Sequence, residues 1–236
     1  MAAISIAPND RLFILTGAGI SAESGIPTFR DAGGLWCKYR IEEVASPHAW
    51  RRDPRLVWDF YSMRRRVAGT VKPNPGHFAL ATLERRLEDR LFLCTQNVDN
   101  LHEQAGSQRA VHMHGELFKG RCDSCHTPPF EDGNLYESPA ELPRCSCGAL
   151  IRPHICWFGE TPFHLERIFE ALSECTVFVA IGTSGTVEPA ASFVSQVAAR
   201  ARTFYVGPEA PANSAVFDDC ILRKSGEVLD TLFTFT

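Results

Sequence analysis

Four short apolar runs constrain this chain more than any other feature: RLFILTG, RLFLCTQ, CTVFVAIG and RTFYVG. Each is followed at once by a polar or glycine-rich loop: TGAGIS, TQNVDN, IGTSGT and VGPEA. Apolar runs of this length, without polar alternation, read as strands buried on both faces, as in a parallel sheet. The stretches RLVWDFYSMRRRVAG, HFALATLERRLED and EPAASFVSQVAARA carry apolar residues at helical spacing. The alternation implies an α/β fold, a mostly parallel sheet with helices on both faces. Loops of such a sheet gather at its carboxyl edge, where ligands bind, so the site is expected to be assembled from segments far apart in sequence.

The first loop sharpens this. Gly17-Ala18-Gly19-Ile20-Ser21-Ala22 satisfies G-x-G-x-x-[GA] directly after a strand. Backbone N–H groups and a helix start there could receive a pyrophosphate, which makes the sheet Rossmann-like. The dehydrogenase version also needs an acidic residue at the end of the next strand, about 20 residues on. Glu42 and Glu43 fall near that distance, but YRIEEVASPHAW is not a buried strand, and the next strand waits until Leu91. A dinucleotide that binds here need not be used for hydride transfer.

Between residues 119 and 152 the pattern changes to cysteine, proline and glycine. Cys122-x-x-Cys125 and Cys145-x-Cys147 form two close pairs, which match a structural zinc site with all four tetrahedral positions filled by sulfur. The second pair is tighter than the usual spacing, so His126 stands as a substitute ligand. The remaining five of the nine cysteines, Cys37, Cys94, Cys156, Cys175 and Cys220, sit among apolar neighbours and read as reduced core residues. An odd number also fits poorly with complete disulfide pairing.

Length and charge bound the rest. A chain of 236 residues with 44% apolar content supports one large domain with a small insertion. With 24 basic against 28 acidic residues there is no basic field to argue for direct nucleic-acid binding. No apolar stretch approaches the roughly 20 residues that span a bilayer, and the first residues lack the basic region of a signal peptide. A cytoplasmic, membrane-free monomer is the expectation.

GAGISAESGIPTFRDAGGLW, TQNVDNLHEQAG, HMHGELF, RPHICWFGE and IGTSGTVEPA, taken in order, resemble the sirtuin family of NAD-dependent protein deacylases. The branch they resemble contains bacterial deacylases and the mitochondrial desuccinylase. In that family NAD is consumed: the bond to nicotinamide breaks, the carbonyl oxygen of an acylated lysine captures the ribose carbon, and a base then activates a ribose hydroxyl. The acyl group ends on ADP-ribose.

The resemblance implies roles by position. His114, which directly precedes a glycine, would be the base, since a neutral imidazole serves near neutral pH. His112 would share a face with His114 in an extended segment, and only the resemblance chooses between them. His102 reads as packing. Asn97, which the resemblance also counts as catalytic, and Asp99 would shape the carboxamide pocket with Ile26, and Gln96 would contact the ribose. Arg30 would hold phosphate or position the ribose, and Phe29 would shield the ribose carbon from water. Gly182, Thr183 and Ser184 look like adenosine-side contacts at a helix start. Ser225 joins the cofactor set. Gly207-Pro208-Glu209 stands where relatives place an asparagine, so Glu209 either replaces that contact or leaves it absent.

For the substrate, the resemblance assigns Trp157, Phe158, Gly159 and Glu160 to a segment on which an extended acyl-lysine peptide adds as a strand. Tyr61 and Arg64 stand three apart on a helix and share a face. A guanidinium beside a phenol suits an acyl group ending in a carboxylate, such as succinyl or malonyl. The plain alternative is that Arg64, Arg65 and Arg66 form a solvated charged face.

The resulting expectation is a Rossmann-like NAD-binding domain over residues 1–35, 75–118 and 153–236, a helical cofactor and acyl-pocket insertion over 36–74, and a zinc-ribbon-like module over 119–152. The expected activity is NAD-dependent removal of succinyl and malonyl groups, with acetyl removal alongside, from acylated-lysine proteins. A non-catalytic NAD-sensing zinc protein and a protein ADP-ribosyltransferase are the alternatives.

Overall fold

The computed structural model describes residues 3–28, 39–137 and 141–236. Phe29, Arg30 and Cys37 lie outside the described residues. The expected strands form at Leu12–Thr16 (β2), Leu91–Thr95 (β3), Val177–Ile181 (β8) and Arg202–Val206 (β9). With Val111–His112 (β4) and Asp219–Ile221 (β10) they make a six-stranded sheet of order β10-β9-β8-β2-β3-β4. Every pairing in it is parallel. The chain leaves β2 for β3 on one side and later fills β8 and β9 on the other, so the strand order reverses at β2, where open α/β sheets bind ligands.

Alternate residues of each strand serve separate cores because a strand projects side chains to opposite faces. Ile14, Leu93 and Val179 face helices Pro75–Leu87 (α5) and Ser225–Leu232 (α9) in one cluster. Phe13, Cys94 and Phe178 face Leu165–Glu174 (α7) and Phe193–Val197 (α8) in another. The last of these helices is shorter than its sequence pattern suggests, with a 3-10 turn over Ala190–Ser192 before it. Strands Ile4–Ile6 (β1) and Phe233–Phe235 (β11) pair beside the main sheet.

A third core lies apart from these two. Helices Ile41–Val44 (α2), Pro47–Arg52 (α3) and Pro54–Ala68 (α4) pack against the antiparallel sheet of Gly115–Cys122 (β5), Phe130–Glu131 (β6) and Ile151–Ile155 (β7). Trp50, Trp58, Phe60 and Tyr61 meet Leu117, Ile151 and Trp157 there. Each such side chain contributes about 1.5–3 kcal/mol when fully buried. The helical insertion and the cysteine-rich segment therefore share one core.

Local signals set the helix starts. Asp53 accepts from Leu56 N at 3.0 Å with Pro54 at the first position of α4, and Asn74 accepts from Gly76 N at 2.9 Å ahead of Pro75. The region of Glu42 and Glu43 is helical, so no acidic residue ends a second strand there. Among the described residues no helix is long and apolar enough to cross a membrane.

Candidate functional site

The loops after β2, β3, β8 and β9 meet at the carboxyl edge of the sheet, each joined to its neighbour by a backbone bond. Gln96 N donates to Thr16 O at 2.9 Å, Gly17 N to Ile181 O at 2.9 Å and Gly182 N to Val206 O at 2.8 Å. The glycines of the first loop serve this close approach. A Cβ on Gly19 would lie 2.7 Å from Gly182 Cα, and Gly182 itself has φ +62, with a would-be Cβ 2.6 Å from Ile20 N. The N–H groups of Gly17 and Gly19 donate to Ile181 O and Gly182 O, so those two serve the packing of the loops. Ala18 is half-buried and Ala22 exposed on the short helix Ala18–Ala22 (α1).

Gln96, Asn97 and Asp99 leave β3 directly above this loop. Asn97 Nδ2 donates to Gly17 O at 3.1 Å and to Ser21 Oγ at 3.0 Å. Ser21, 1% exposed, also hydrogen-bonds the carboxylate of Asp99. Burial pushes the Asp99 carboxyl up, against the hydrogen bonds from Leu101 N–H and Ser21 that favour its charge. Ile26 packs at the edge of the third core, its N–H bonded to Ser21 O at 3.2 Å.

His114 stands half-buried beside this loop, its Nδ1 3.1 Å from Gln96 O. A carbonyl only accepts, so Nδ1 carries the proton and Nε2 is left as a lone-pair base in the neutral ring. Burial lowers the His114 pKa, opposed by the Gln96 bond, which keeps the ring neutral at ordinary pH. Gly115 after it has φ +86 and a would-be Cβ 2.1 Å from His154 O, so no larger residue fits. His112 instead turns to Asn97 O and Glu103 Oε1, each at 2.9 Å, and His102 is buried against Thr16 Oγ1 at 3.0 Å.

Thr183 and Ser184 line the open edge, half-buried. No helix starts at Gly182; Ser184 Oγ instead bonds Thr186 Oγ1 at 2.7 Å and orders the loop, which corrects the expectation of a helix start. Gly207 is buried against Tyr205, with a would-be Cβ 2.3 Å from its hydroxyl, and Glu209 is exposed. Ser225 is 3% exposed and donates to Glu23 Oε1, so α1 is tied to the start of α9.

In the segment after β7, Cys156 N donates to His114 O at 2.9 Å and Phe158 N to Ala45 O at 3.1 Å. Phe158 is 54% exposed and Gly159 has φ +90 at the turn. Trp157 is 2% exposed, with Arg152 stacked over its ring at 3.3 Å. Glu160 is clamped by Arg152 at 2.7 and 2.9 Å and accepts from Trp157 N, so both side chains brace the turn while Phe158 and Gly159 face outward. Burial opposes the Glu160 charge, but Arg152 outweighs it and holds the pKa down.

The three arginines of α4 have three fates, so the continuous charged face does not exist. Arg65 is 2% exposed, paired with Asp132 at 3.2 Å and donating to Leu117 O at 2.8 Å. Arg66 is exposed and meets Glu137. Arg64 is half-buried, hydrogen-bonded to Tyr61 and within the field of Asp99, while burial lowers its pKa. Tyr61 in turn accepts from Trp157 Nε1 at 3.0 Å.

The four cysteine sulfurs lie within 4.8 Å of one another, with Cys122–Cys147 and Cys125–Cys145 both at 3.6 Å. A disulfide needs about 2.05 Å, whereas four thiolates at about 2.3 Å from one zinc stand nearly 3.8 Å apart. The donor set fits zinc with no open position. His126 is exposed and outside the cluster. Of the scattered cysteines, Cys94 and Cys175 are buried as expected, but Cys156 and Cys220 are only half-buried. Ser21, Thr16 and Glu23 were not singled out in the sequence, although Ser21 stands within the first glycine motif and Glu23 directly after it.

The Sir2 family model matches residues 17–189, the span that holds the first three loops and the cysteine cluster. An NAD-dependent protein deacylase of Caulobacter vibrioides is 47% identical over 93% of each chain, and one of Leishmania major is 48% identical over 92% of each. Among solved structures, a Sir2 homolog–NAD complex superposes with TM-score 0.86 at 43% identity, over 94% of this chain and 87% of that one. A Sir2 protein solved with a deacetylated p53 peptide and 3'-O-acetyl ADP ribose has TM-score 0.79 at 28% identity, over 92% of this chain and 90% of that one. With the family model across most of its length and relatives this similar along nearly all of theirs, the chain belongs to the Sir2 family.

Proposed function

We propose that this protein is an NAD-dependent protein-lysine deacylase that favours acyl groups ending in a carboxylate, succinyl and malonyl, and also removes acetyl. The observation that carries the reaction class is His114, held neutral with Nδ1–H on Gln96 O and Nε2 available, beside the Asn97–Asp99 loop. NAD, when bound, supplies an activated ribose carbon on loss of nicotinamide. Asn97 and Asp99 would hold the carboxamide end and His114 Nε2 would take a hydroxyl proton, while the close approach of Gly17 and Gly19 to Gly182 fixes the loops around them. The structural neighbour solved with a deacetylated peptide supports a peptide substrate, and the outward-facing Phe158–Gly159 turn is the segment on which it would add.

Arg64 supports the finer preference. It is half-buried next to Tyr61, whose hydroxyl accepts from Trp157 of the proposed substrate segment, so a guanidinium would stand beside an acyl chain entering from that segment. An acetyl group offers it nothing, and a terminal carboxylate offers an ion pair. Mass spectrometry of one lysine peptide in acetyl and succinyl forms, with and without NAD, tests this. Faster NAD-dependent loss of succinyl, with acylated ADP-ribose as product, is expected. Loss of acetyl alone would remove the preference and keep the class.

A further inference from the structure

His112 has an environment unlike those of its neighbours His102 and His114. Its Nδ1 lies 2.9 Å from Asn97 O and its Nε2 2.9 Å from Glu103 Oε1. A carbonyl and a carboxylate only accept, and a neutral imidazole carries one N–H, so both bonds exist together only when both ring nitrogens are protonated. The ring is 6% exposed, which leaves little room for water to replace a missing bond. We propose that His112 is a positioning residue whose imidazolium pins both ends of segment 97–103 and thereby fixes Asn97 and Asp99 beside His114. This rests on the deacylase reading of the site.

The geometry makes the coupling direct. Asn97 offers its carbonyl to His112 while its side chain reaches Gly17 O and Ser21 Oγ, so the pin and the tie to the glycine loop belong to one residue. Glu103 lies on helix Leu101–Gln104 (α6), immediately after the Asp99–Asn100 turn. Five titratable groups act on or around the ring: Glu103 and His102 on α6, Asp99 before it, Glu116 on β5 and His164 at the start of α7. Burial works against the charge on His112, but Glu103, the Asn97 carbonyl and Glu116 outweigh it and raise the pKa.

Opposite requirements follow at two histidines separated by one residue. His114 must be neutral to act, so activity grows as pH rises through its lowered pKa. His112 must be charged to hold the loop, so cofactor binding weakens as pH rises through its raised pKa. The site then works in a window bounded by the two rings.

Histidine ring nitrogen NMR on the full, zinc-loaded protein across about pH 5.5 to 9 measures the first part. A doubly protonated His112 at neutral pH, whose midpoint falls in Glu103→Gln, is expected; a neutral ring at that pH overturns the proposal. The second part is kinetic. His112→Gln should raise the KM for NAD about tenfold and Glu103→Gln about threefold, as for loss or weakening of a charge-assisted bond, with smaller effects on kcat. The alkaline limb should also shift to lower pH in Glu103→Gln. An unchanged KM for NAD and an unchanged alkaline limb in both variants would overturn it, and Glu103→Gln, at a partly exposed position, keeps the comparison should His112→Gln fail to fold. If the wild type removes no acyl group, the deacylase reading fails, while the NMR titration and calorimetric NAD binding still decide the role of His112.

Discussion

Ser21 Oγ accepts a hydrogen bond from Asn97 Nδ2 at 3.0 Å, joining the glycine loop after β2 to the polar loop after β3. The same hydroxyl bonds the buried Asp99 carboxylate, so one small side chain organises both halves of the proposed cofactor pocket.

Ser21→Ala should therefore leave two buried polar groups short of a partner, at a cost of about 1–3 kcal/mol. Calorimetric NAD titration is expected to show weaker binding by about tenfold, with only a modest loss of melting temperature. Unaltered affinity would mean that the Gly17 carbonyl alone holds Asn97.

His114→Ala should abolish turnover and leave a folded, zinc-loaded protein, checked by activity, circular dichroism and metal content. In the wild type, burial lowers the His114 pKa, so the neutral ring persists to below the usual histidine midpoint and activity falls only as pH drops through the lowered value. An acid limb at or above the ordinary histidine pKa would contradict this assignment.

Arg64→Met keeps an unbranched apolar stem and removes the charged guanidinium. Succinyl-peptide kcat/KM should drop about a hundredfold, in keeping with loss of a partly desolvated charge-assisted contact, while acetyl-peptide kcat/KM changes little. Equal losses on both peptides would return Arg64 to a structural role beside Tyr61.

Asp132→Ala strands the buried Arg65 guanidinium with only backbone carbonyls, since the two side chains are 1% and 2% exposed. Breaking such a pair costs about 3–5 kcal/mol. Urea unfolding should report a loss of that size, and a change below about 1 kcal/mol would show that the carbonyls suffice.

Metal removal should act on the same core from the other side. Structural zinc sites contribute roughly 10–16 kcal/mol of binding energy to folding in small modules. A strong chelator, or Cys145→Ser, is expected to disorder the β5–β7 sheet and abolish peptide binding, followed by tryptophan fluorescence of Trp58 and Trp157 in the shared core. Full retention of zinc by the single-cysteine variant would point to a fourth ligand outside the cluster.

Much of this molecule is legible locally. Four apolar runs become four parallel strands because burial on both faces demands uninterrupted hydrophobic residues, and a parallel sheet then places their loops at one edge. The two cysteine pairs likewise announce a metal site through spacing alone, and their sulfurs do gather. Pro54 and Pro75, each after an Asp or Asn cap, mark helix starts that need no tertiary partner.

Tertiary structure decided what local pattern leaves open. Arg64, Arg65 and Arg66 are identical in sequence terms, yet Arg65 is buried on Asp132 and Arg66 meets Glu137 at the surface, partners brought from a segment remote in the chain, while Arg64 turns to Tyr61 on its own helix. His112 and His114 were separable only by resemblance; in the fold Gln96 O takes one ring and Asn97 O with Glu103 takes the other. The glycines of the first loop read as phosphate contacts from the motif, and only the fold shows that they also pack against the loop after β8. Periodicity reports which face a residue occupies, but the charge state, partner and burial of a polar group depend on what the rest of the chain brings against that face.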